Sequence, residues 1–450
     1  MTIDIKTFFN ATDPTRTLAV NNESDKKYYI DFSSVRGGDI VAKLKQKITL
    51  FTSDRTSCTL FTGHIGCGKS TELLKLKLEL EADGFHVAYF ESSQDLEMTD
   101  VDIADVILAI AHRVTQSLEN ITFEEPRRLQ ELLHGVWRVL NTEVTGVKIK
   151  PPGIGDIGFA KEKEKFSLFF GIGEITAKVK SDPTLREKLN QYLGPQKTKL
   201  LDVVNQEILE PAIAKLKQQG KKGLVVIVDN LDRIDSRPKP WGRAQQEYLF
   251  VDQAEYLTKL NCHIVYTMPL ALKFSNDYGM LTQRFPDEPK VLPMVSIRLR
   301  DGSIHEEGIA LMRQMVLARA FPDLKPEQRL DNITFIFDRA ATLDRLCMMS
   351  GGHVRDLLRL LNTWIMEEMK LPLSAQTLEN VIRLRRNEMM MPISSYEWQL
   401  LREVKQTKKV SDNQGYQKLI RSRFVFEYRT SVESWFDINP ILAEAEELEA

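Results

Sequence analysis

Gly-His-Ile-Gly-Cys-Gly-Lys-Ser, residues 63–70, matches the phosphate-binding pattern G-x-x-x-x-G-K-[ST] at every fixed position. A loop whose backbone N–H groups point inward can wrap a chain of phosphates only where several residues lack a side chain. Gly63, Gly66 and Gly68 meet that need. Lys69 is spaced to reach the β and γ phosphates, and Ser70 is spaced to place its hydroxyl on Mg²⁺. The stretch therefore predicts a P-loop that binds ATP and Mg²⁺.

The flanking sequence supplies the context that a P-loop requires. Residues 58–62 read as a short buried strand entering the loop, and leucines at helical spacing follow in residues 72–81. Residues 85–90 read as a second buried strand, entered through the helix-ending Gly84. The resulting strand, helix, strand unit implies a parallel sheet, so we predict an α/β fold with helices on both faces of the sheet.

A second half of the nucleotide site is predicted downstream. Residues 224–229 form an apolar run that ends in Asp229, the pattern of a central parallel strand with a carboxylate at its C-terminal edge. Ligands bind at that edge, so Asp229 is expected beside the P-loop, holding Mg²⁺ through a water. Asp232 is a candidate for the base that orients an attacking water, or else a helix cap. Residues 261–267 form the next strand, and Thr267 at its end is expected near the γ-phosphate or that water.

Four further residues, at three places in the chain, each have a functional interpretation and a purely structural one. Val35 and Arg36 precede a helix predicted at 39–48, either as a site for the adenine base or as a surface turn. Arg284, ahead of a strand predicted at 291–297, can reach a neighbouring subunit's nucleotide or lie free on the surface. Arg355 lies in the first turn of a helix, where a cation opposes the helix dipole, so it faces either the γ-phosphate or an acidic side chain. The residues expected to contact the nucleotide are Val35, Arg36, Gly63, His64, Ile65, Gly66, Cys67, Gly68, Lys69, Ser70 and Thr71.

Composition limits the class of protein. The 450 residues are 42% hydrophobic and 28% charged, as in ordinary globular proteins, and a net charge of -2 argues against a generally basic nucleic-acid coat protein. The 4 cysteines form no C-x-x-C pair, which argues against zinc and disulfide frameworks. No signal peptide is apparent, and no uncharged apolar stretch reaches the roughly 18 residues of a membrane span. We expect a cytoplasmic protein with no membrane partner.

Four features together resemble an AAA+ or STAND ATPase. They are the P-loop, the Val-Asp-Asn-Leu-Asp-Arg strand end at 228–233, the strand ending in Thr-Met-Pro at 267–269 and the Gly-Gly-His-Val-Arg helix at 351–355. The strand end is similar to the KAP and NACHT branches of STAND proteins, and the helix resembles the lid of origin-recognition-type ATPases. The resemblance implies that Lys69 and Ser70 bind phosphate and Mg²⁺. It also implies that Asp229 is the Walker B acid, Thr267 sensor 1, Arg355 sensor 2 and Arg284 an arginine finger, which requires a homo-oligomer at least in the ATP-bound form.

One position departs from the AAA+ pattern. These enzymes usually carry Glu directly after the Walker B Asp, and this chain has Asn230. Either Asp232 takes the catalytic role, or hydrolysis is slow and the protein is a nucleotide-gated adaptor that signals to a separate effector protein.

The chain divides into four predicted units: an N-terminal arm at 1–34, a P-loop ATPase domain at 35–298, a helical lid at 299–390 and a winged-helix-like domain at 391–450. We expect residues 1–28 to be extended and 28–32 to form a short strand. A glycine- and proline-rich insertion at about 142–180 is interpreted as a β-hairpin or mobile flap. The last unit can bind DNA through Lys418, Arg421 and Arg423, or serve as a clamp or protein dock.

Overall fold

The structure is a computed structural model that describes residues 3–119, 126–141, 164–411 and 414–449. Its centre is a parallel five-stranded sheet in the order β2-β3-β4-β1-β5. The strands are β1 Ser57–Gly63, β2 His86–Glu91, β3 Leu224–Asp229, β4 His263–Met268 and β5 Lys290–Leu292. Every residue of β1, β3 and β4 is buried, because helices cover both faces, and this explains the continuous apolar run of β3.

The sheet order places the predicted site residues at one edge. Strand β4 lies between β1 and β3, with Leu60 opposite Tyr266 and Ile227 opposite Val265. The P-loop after β1, Asp229 at the end of β3 and Thr267 near the end of β4 therefore meet at the carboxyl edge of the sheet. The predicted α/β P-loop fold is confirmed.

Helices surround the sheet. The helix after the P-loop, Lys69–Ala82, follows Gly68 at φ 107° and turns Leu73, Leu76 and Leu80 into the core. The other helices before the lid are Ile5–Ala11, Glu23–Lys26, Ile40–Gln46, Ser92–Asp95, Ile103–Ser117, Arg127–Asn141, Glu164–Ser181, Pro183–Leu193, Lys197–Val204, Glu210–Gln218, Gln245–Glu247, Ala254–Thr258 and Tyr278–Arg284.

The interpretation of the insertion as a hairpin or flap is wrong where the structure describes it. Residues 142–163 lie outside the described residues, and Glu164–Ser181 is one helix. Ile172, Ile175 and Val179 are buried in the core that also contains the helix Ile103–Ser117. Their spacing of three and four residues places them on one helical face, a period that the glycines nearby concealed.

The N-terminal prediction also needs correction. Residues 3–28 are not simply extended, since Ile5–Ala11 is a helix whose first N–H groups are capped by Asp4. Phe8 on this helix is 1% exposed and packs in the same core as the lid. The strand expected at 28–32 is absent, and a 3-10 turn, Ser33–Val35, follows instead. Docking of Phe8 supplies the apolar burial that orders this segment.

The lid is helical, as predicted. Its helices are Glu306–Ala320, Pro326–Asp331, Ala340–Met349, Val354–Glu368 and Ala375–Met390. The third helix begins at Ala340, and a separate 3-10 turn, Ile333–Phe335, precedes it. The strand expected at 291–297 is limited to Lys290–Leu292, the stretch that pairs with β1.

The C-terminal unit, predicted to be winged-helix-like, consists of helices followed by a hairpin. Helices Ser395–Thr407 and Gln414–Arg421 precede an antiparallel hairpin of β6 Val425–Arg429 and β7 Ser434–Ile438, and a short helix, Pro440–Ala443, follows. Phe426, Tyr428 and Trp435 of the hairpin share a core with Leu73 and Leu76 of the helix that follows the P-loop. The hairpin is therefore packed against the α/β part as well as its own helices. Within the described ranges, no helix combines the length and apolar character needed to cross a membrane.

Candidate nucleotide site

A cavity with about 840 Å³ of empty volume, partly open to solvent, lies over the P-loop. Its floor is formed by residues 65–72, from the P-loop and the first turn of the helix after it, and one wall is the turn after β3, including Asp232 and Arg233. The N-terminal segment contributes residues such as Arg16, Tyr28 and Arg36, and the lid contributes Met315, Arg319 and Arg355. Three separate parts of the chain therefore enclose one concave site.

Lys69 is held at the floor of this cavity. Its Nζ donates hydrogen bonds to the carbonyl oxygens of Gly63 and His64, each at 2.9 Å, and lies 2.9 Å from Asp232 Oδ2. Burial is the largest single influence and disfavours its charge, but the groups around it, Asp232 first and then Cys67 and Asp229, together raise the pKa of Lys69. The side chain is therefore a fixed cation at the base of the P-loop, where the sequence pattern expects the phosphates.

Asp229 forms a site suited to Mg²⁺. Its carboxylate accepts hydrogen bonds from the Tyr89 hydroxyl, with Oδ2 at 2.8 Å, and from the Ser70 hydroxyl. Burial first, and then the charge of Asp232, raise the pKa of Asp229, so a cation beside it would offset a real electrostatic cost. Carboxylate and hydroxyl oxygens are ligands that Mg²⁺ prefers, and the residues present fit this metal.

Thr267 is buried behind the cavity rather than on its surface. Its Oγ1 accepts a hydrogen bond from the Leu231 N–H at 2.8 Å and lies 3.3 Å from the Val228 carbonyl oxygen, to which it donates. These bonds hold the turn that contains Asn230 at φ 62° and Asp232. These bonds tie Thr267 to the turn that carries Asp232. Its expected contact with the γ-phosphate or the attacking water stays a prediction.

Arg36 reaches the P-loop, whereas Val35 does not. The Arg36 Nη2 donates to the Cys67 carbonyl oxygen at 2.8 Å, and its guanidinium lies 5.1 Å from the centre of the Phe32 ring. Its Nε is buried without a hydrogen-bond partner, and burial lowers its pKa. Val35 is buried outside the cavity lining, and its carbonyl oxygen accepts a hydrogen bond from the Ser296 N–H at 3.1 Å.

Arg355 lies in the cavity wall beside the P-loop, and Arg284 lies elsewhere. The Arg355 N–H donates to the Gly66 carbonyl oxygen at 3.2 Å, and burial, followed by the nearby charge of Arg233, lowers the pKa of its guanidinium. Arg284 is exposed at the end of its helix, outside the cavity lining, and donates to the Val251 carbonyl oxygen of its own chain. Its action on a neighbouring subunit stays a prediction.

The structure adds residues that the sequence interpretation missed. Two arginines lie over the Tyr28 ring, with Arg16 at 5.7 Å and Arg319 at 5.8 Å from its centre. Arg319 is buried with an unpartnered Nε, and burial lowers its pKa to about 10. An arginine inside the apolar sequence Met-Val-Leu-Ala-Arg-Ala-Phe at 315–321 was a usable signal for a buried functional cation.

The three basic residues proposed for DNA contact are engaged within the chain. Lys418 pairs with Glu397 at 2.7 Å, Arg423 pairs with Asp356 at 3.2 Å, and Arg421 donates to the Ser236 hydroxyl. None of these bonds points to a nucleic acid.

No protein-family model matches the chain, and no curated protein matches it. Several solved structures are similar to it, including the following three. The Aeropyrum pernix ORC2 protein, solved as ADPNP–ADP complexes, is 11% identical at TM-score 0.41, covering 98% of this chain and 96% of that one. The Walker-type ATPase PABY2304 of Pyrococcus abyssi is 13% identical at TM-score 0.39, covering 98% and 100%. Cdc6p from Pyrobaculum aerophilum is 11% identical at TM-score 0.35, covering 94% and 97%. Since these TM-scores lie below 0.5, the roles of residues rest on the geometry of this chain.

Proposed function

We propose that the chain is an ATP-binding, Mg²⁺-dependent P-loop ATPase of the AAA+/STAND type. The observation that carries the proposal is a buried Lys69 and a Ser70 that line a cavity together with several cations, with Asp229 buried behind Ser70 and accepting a hydrogen bond from its hydroxyl. Two of those cations, Arg36 and Arg319, have buried Nε atoms without partners. A polyphosphate beside Mg²⁺ satisfies all of these groups at once.

The residues suggest how hydrolysis would proceed. Asp232 would orient a water and accept its proton while the water oxygen bonds to the γ-phosphorus and the bond to the ADP oxygen breaks. Lys69 and Arg355 would stabilise the charge on the phosphoryl oxygens, with Arg284 of a neighbouring copy as a further cation. Bound Mg²⁺, held by Ser70 and through water by Asp229, would neutralise charge on the β and γ phosphates. Thr267 would keep Asp232 in place through the turn.

In this proposal, a change in the bound nucleotide moves three units relative to one another. They are the α/β part at 35–298, the lid at 299–390 and the winged-helix-like unit at 391–450. The cavity supports the idea, because its walls come from the α/β part and from the lid helices Glu306–Ala320 and Val354–Glu368. A ligand that contacts both walls binds the closed arrangement more tightly than the open one. This difference in affinity shifts the equilibrium toward the closed arrangement.

A second candidate function is a nucleotide-gated adaptor with little hydrolysis that signals to a separate effector protein. Asn230 favours it, since this position lacks the usual catalytic glutamate. The ion pair of Asp232 with Lys69 also favours it, because an acid bound to the phosphate-binding lysine is not free to accept a proton. Association with DNA, assembly into a homo-oligomer and a cytoplasmic location remain further proposals.

The decisive experiment measures ATP binding and steady-state hydrolysis by the full chain with Mg²⁺, beside Lys69→Ala. Lys75→Ala is a matched control, since this lysine lies on the same helix outside the cavity. Turnover that Lys69→Ala abolishes and Lys75→Ala retains supports the ATPase. Tight binding with negligible turnover supports the adaptor, and absence of binding rejects both. Adding double-stranded DNA tests stimulation, and sedimentation with and without ATP tests assembly.

A further inference from the structure

The P-loop is bonded to the C-terminal hairpin through a side chain that the phosphate-binding pattern leaves free. His64 is 2% exposed, and its Nε2 accepts a hydrogen bond from the Glu427 backbone N–H of β6 at 3.0 Å. The His64 and Phe426 rings also contact each other in a T-shaped arrangement, with their centroids 5.4 Å apart. Burial holds the pKa of His64 well below its ordinary value, so the imidazole is neutral and able to accept this bond.

The next two P-loop residues are bonded to the lid. His353, which caps the helix Val354–Glu368, accepts from the Asp356 N–H at Nδ1, at 3.0 Å. Its Nε2 must then carry the proton, and it donates to the Ile65 carbonyl oxygen at 2.9 Å. The Arg355 N–H donates to the Gly66 carbonyl oxygen at 3.2 Å. Three successive P-loop residues are thus held by groups from the C-terminal half of the chain.

The hairpin and the lid are in turn bonded to each other. The Phe426 ring stacks on His353 with centroids 5.6 Å apart, and the Tyr428 hydroxyl donates to the Gly351 carbonyl oxygen at 2.7 Å. A Cβ added at Gly351 would lie 2.8 Å from the Phe426 ring, so this contact has no spare room. Since the pieces are in direct contact, the hairpin cannot shift without disturbing His64, His353 or both.

We infer that His64 is a positioning residue of the nucleotide site: its bond from the Glu427 N–H holds the start of the P-loop in the phosphate-binding conformation and couples nucleotide binding to the hairpin. The inference rests on the proposed function, because it requires a nucleotide in the P-loop. Coupling of this kind is reciprocal, so ATP should stabilise the hairpin contact as much as the contact favours ATP. The conformation of the C-terminal hairpin then depends on whether the P-loop holds a nucleotide, although His64 and Glu427 are 363 residues apart in the sequence.

The test compares three variants of the full chain. His64→Leu removes the acceptor but keeps an apolar side chain of similar bulk. His64→Gln restores an acceptor, the side-chain oxygen, near the position of Nε2. Val432→Ser changes the hairpin turn, where the side chain is 90% exposed, and serves as the control at the other end of the hairpin. Urea unfolding without nucleotide establishes that each variant is folded.

ATP affinity and the fluorescence of Trp435, the buried tryptophan of β7, are measured together, with Trp435→Phe identifying its signal. We expect His64→Leu to weaken ATP binding about tenfold, the factor for one buried hydrogen bond, and to lose the Trp435 response at saturating ATP. His64→Gln should recover both, and Val432→Ser should change neither. Wild-type affinity and response in folded His64→Leu would overturn the inference while leaving the proposed function intact. Absence of ATP binding in the wild type would instead reject the proposed function, and the coupling with it.

Discussion

The Lys69 ammonium lies 2.9 Å from the Asp232 carboxylate, with both side chains buried at the floor of the cavity. A γ-phosphate that binds Lys69 must therefore compete with Asp232 for the same cation. The pair also places the candidate base where the terminal phosphate would lie. In the proposed ATPase, Asp232 would oppose nucleotide binding while paired with Lys69, and would assist hydrolysis once the γ-phosphate has displaced it from Lys69; mutation can separate the two effects.

Asp232→Asn should bind ATP more tightly and hydrolyse it more slowly. Removing the carboxylate frees Lys69 and removes a negative charge facing the phosphates, so we expect the Kd to fall about tenfold, equivalent to about 1.4 kcal/mol. Loss of the base should reduce kcat by roughly 100-fold or more. Calorimetry and single-turnover hydrolysis measure the two quantities. Asp235→Asn, which alters an acid paired with Arg237 outside the cavity lining, is the matched control. Equal loss of affinity and turnover in Asp232→Asn would contradict this competition.

Asp229→Asn should remove the dependence of ATP binding on Mg²⁺ with little loss of folding stability. Burial already raises the pKa of Asp229, so the neutral amide avoids a cost that the carboxylate bears in the protein without metal. In the wild type, we expect EDTA to weaken ATP binding, and in the variant, EDTA should have little further effect. Titration calorimetry with Mg²⁺ and with EDTA gives both affinities. An unchanged EDTA effect in Asp229→Asn would show that the metal is held elsewhere.

Thr267→Val should reduce turnover more than ATP affinity. The substitution leaves the buried Leu231 N–H without its acceptor, which costs about 1 to 3 kcal/mol and loosens the turn that carries Asp232. Thr267→Ser retains the hydroxyl and should recover stability and kcat. Urea unfolding and steady-state kinetics at saturating ATP provide the measurements. If Thr267→Val loses affinity instead of turnover, Thr267 contacts the nucleotide directly, which is one of the two alternatives that the sequence left open.

The nucleotide-binding half of the fold was predictable because its signals are local. Local sequence predicts the conformation of three segments: the glycines of the P-loop, the apolar run ending at Asp229 and the strand before Thr267. The parallel topology then brings the ends of these segments together. The helix Glu164–Ser181 was missed because clustered glycines and charges upstream outweighed a helical apolar period. The roles of individual residues remain predictions wherever they depend on a bound nucleotide.

Contacts between distant parts of the chain were not predictable from one sequence. Nothing in the local sequence of His64 indicates a partner at Glu427, and nothing near Phe8 indicates a lid core as its destination. The cavity wall formed by Tyr28 and Arg319 has the same origin, since the two residues meet only after the lid folds over the N-terminal segment. Such pairings depend on the tertiary arrangement rather than on propensity or motif.

The His353 contact predicts a pH dependence of folding stability. Burial lowers the pKa of His353 from an ordinary 6.5 to about 4, with Asp356 opposing this effect and Arg423 adding to it. Between these values the unfolded chain binds a proton that the folded chain excludes, so the stability contribution is complete above about pH 6.5 and is lost as the pH falls toward 4. The loss corresponds to about 3 kcal/mol.

His353→Asn isolates this contribution, because asparagine still caps the helix but does not titrate and cannot reach the Ile65 carbonyl oxygen in the same way. The variant should be less stable than the wild type at pH 7, and the gap should shrink by about 3 kcal/mol on going to pH 4. His64 is present in both chains, so its own titration largely cancels from the difference. Urea unfolding at both pH values measures the gap. A gap independent of pH would show that His353 titrates alike in the folded and unfolded chains.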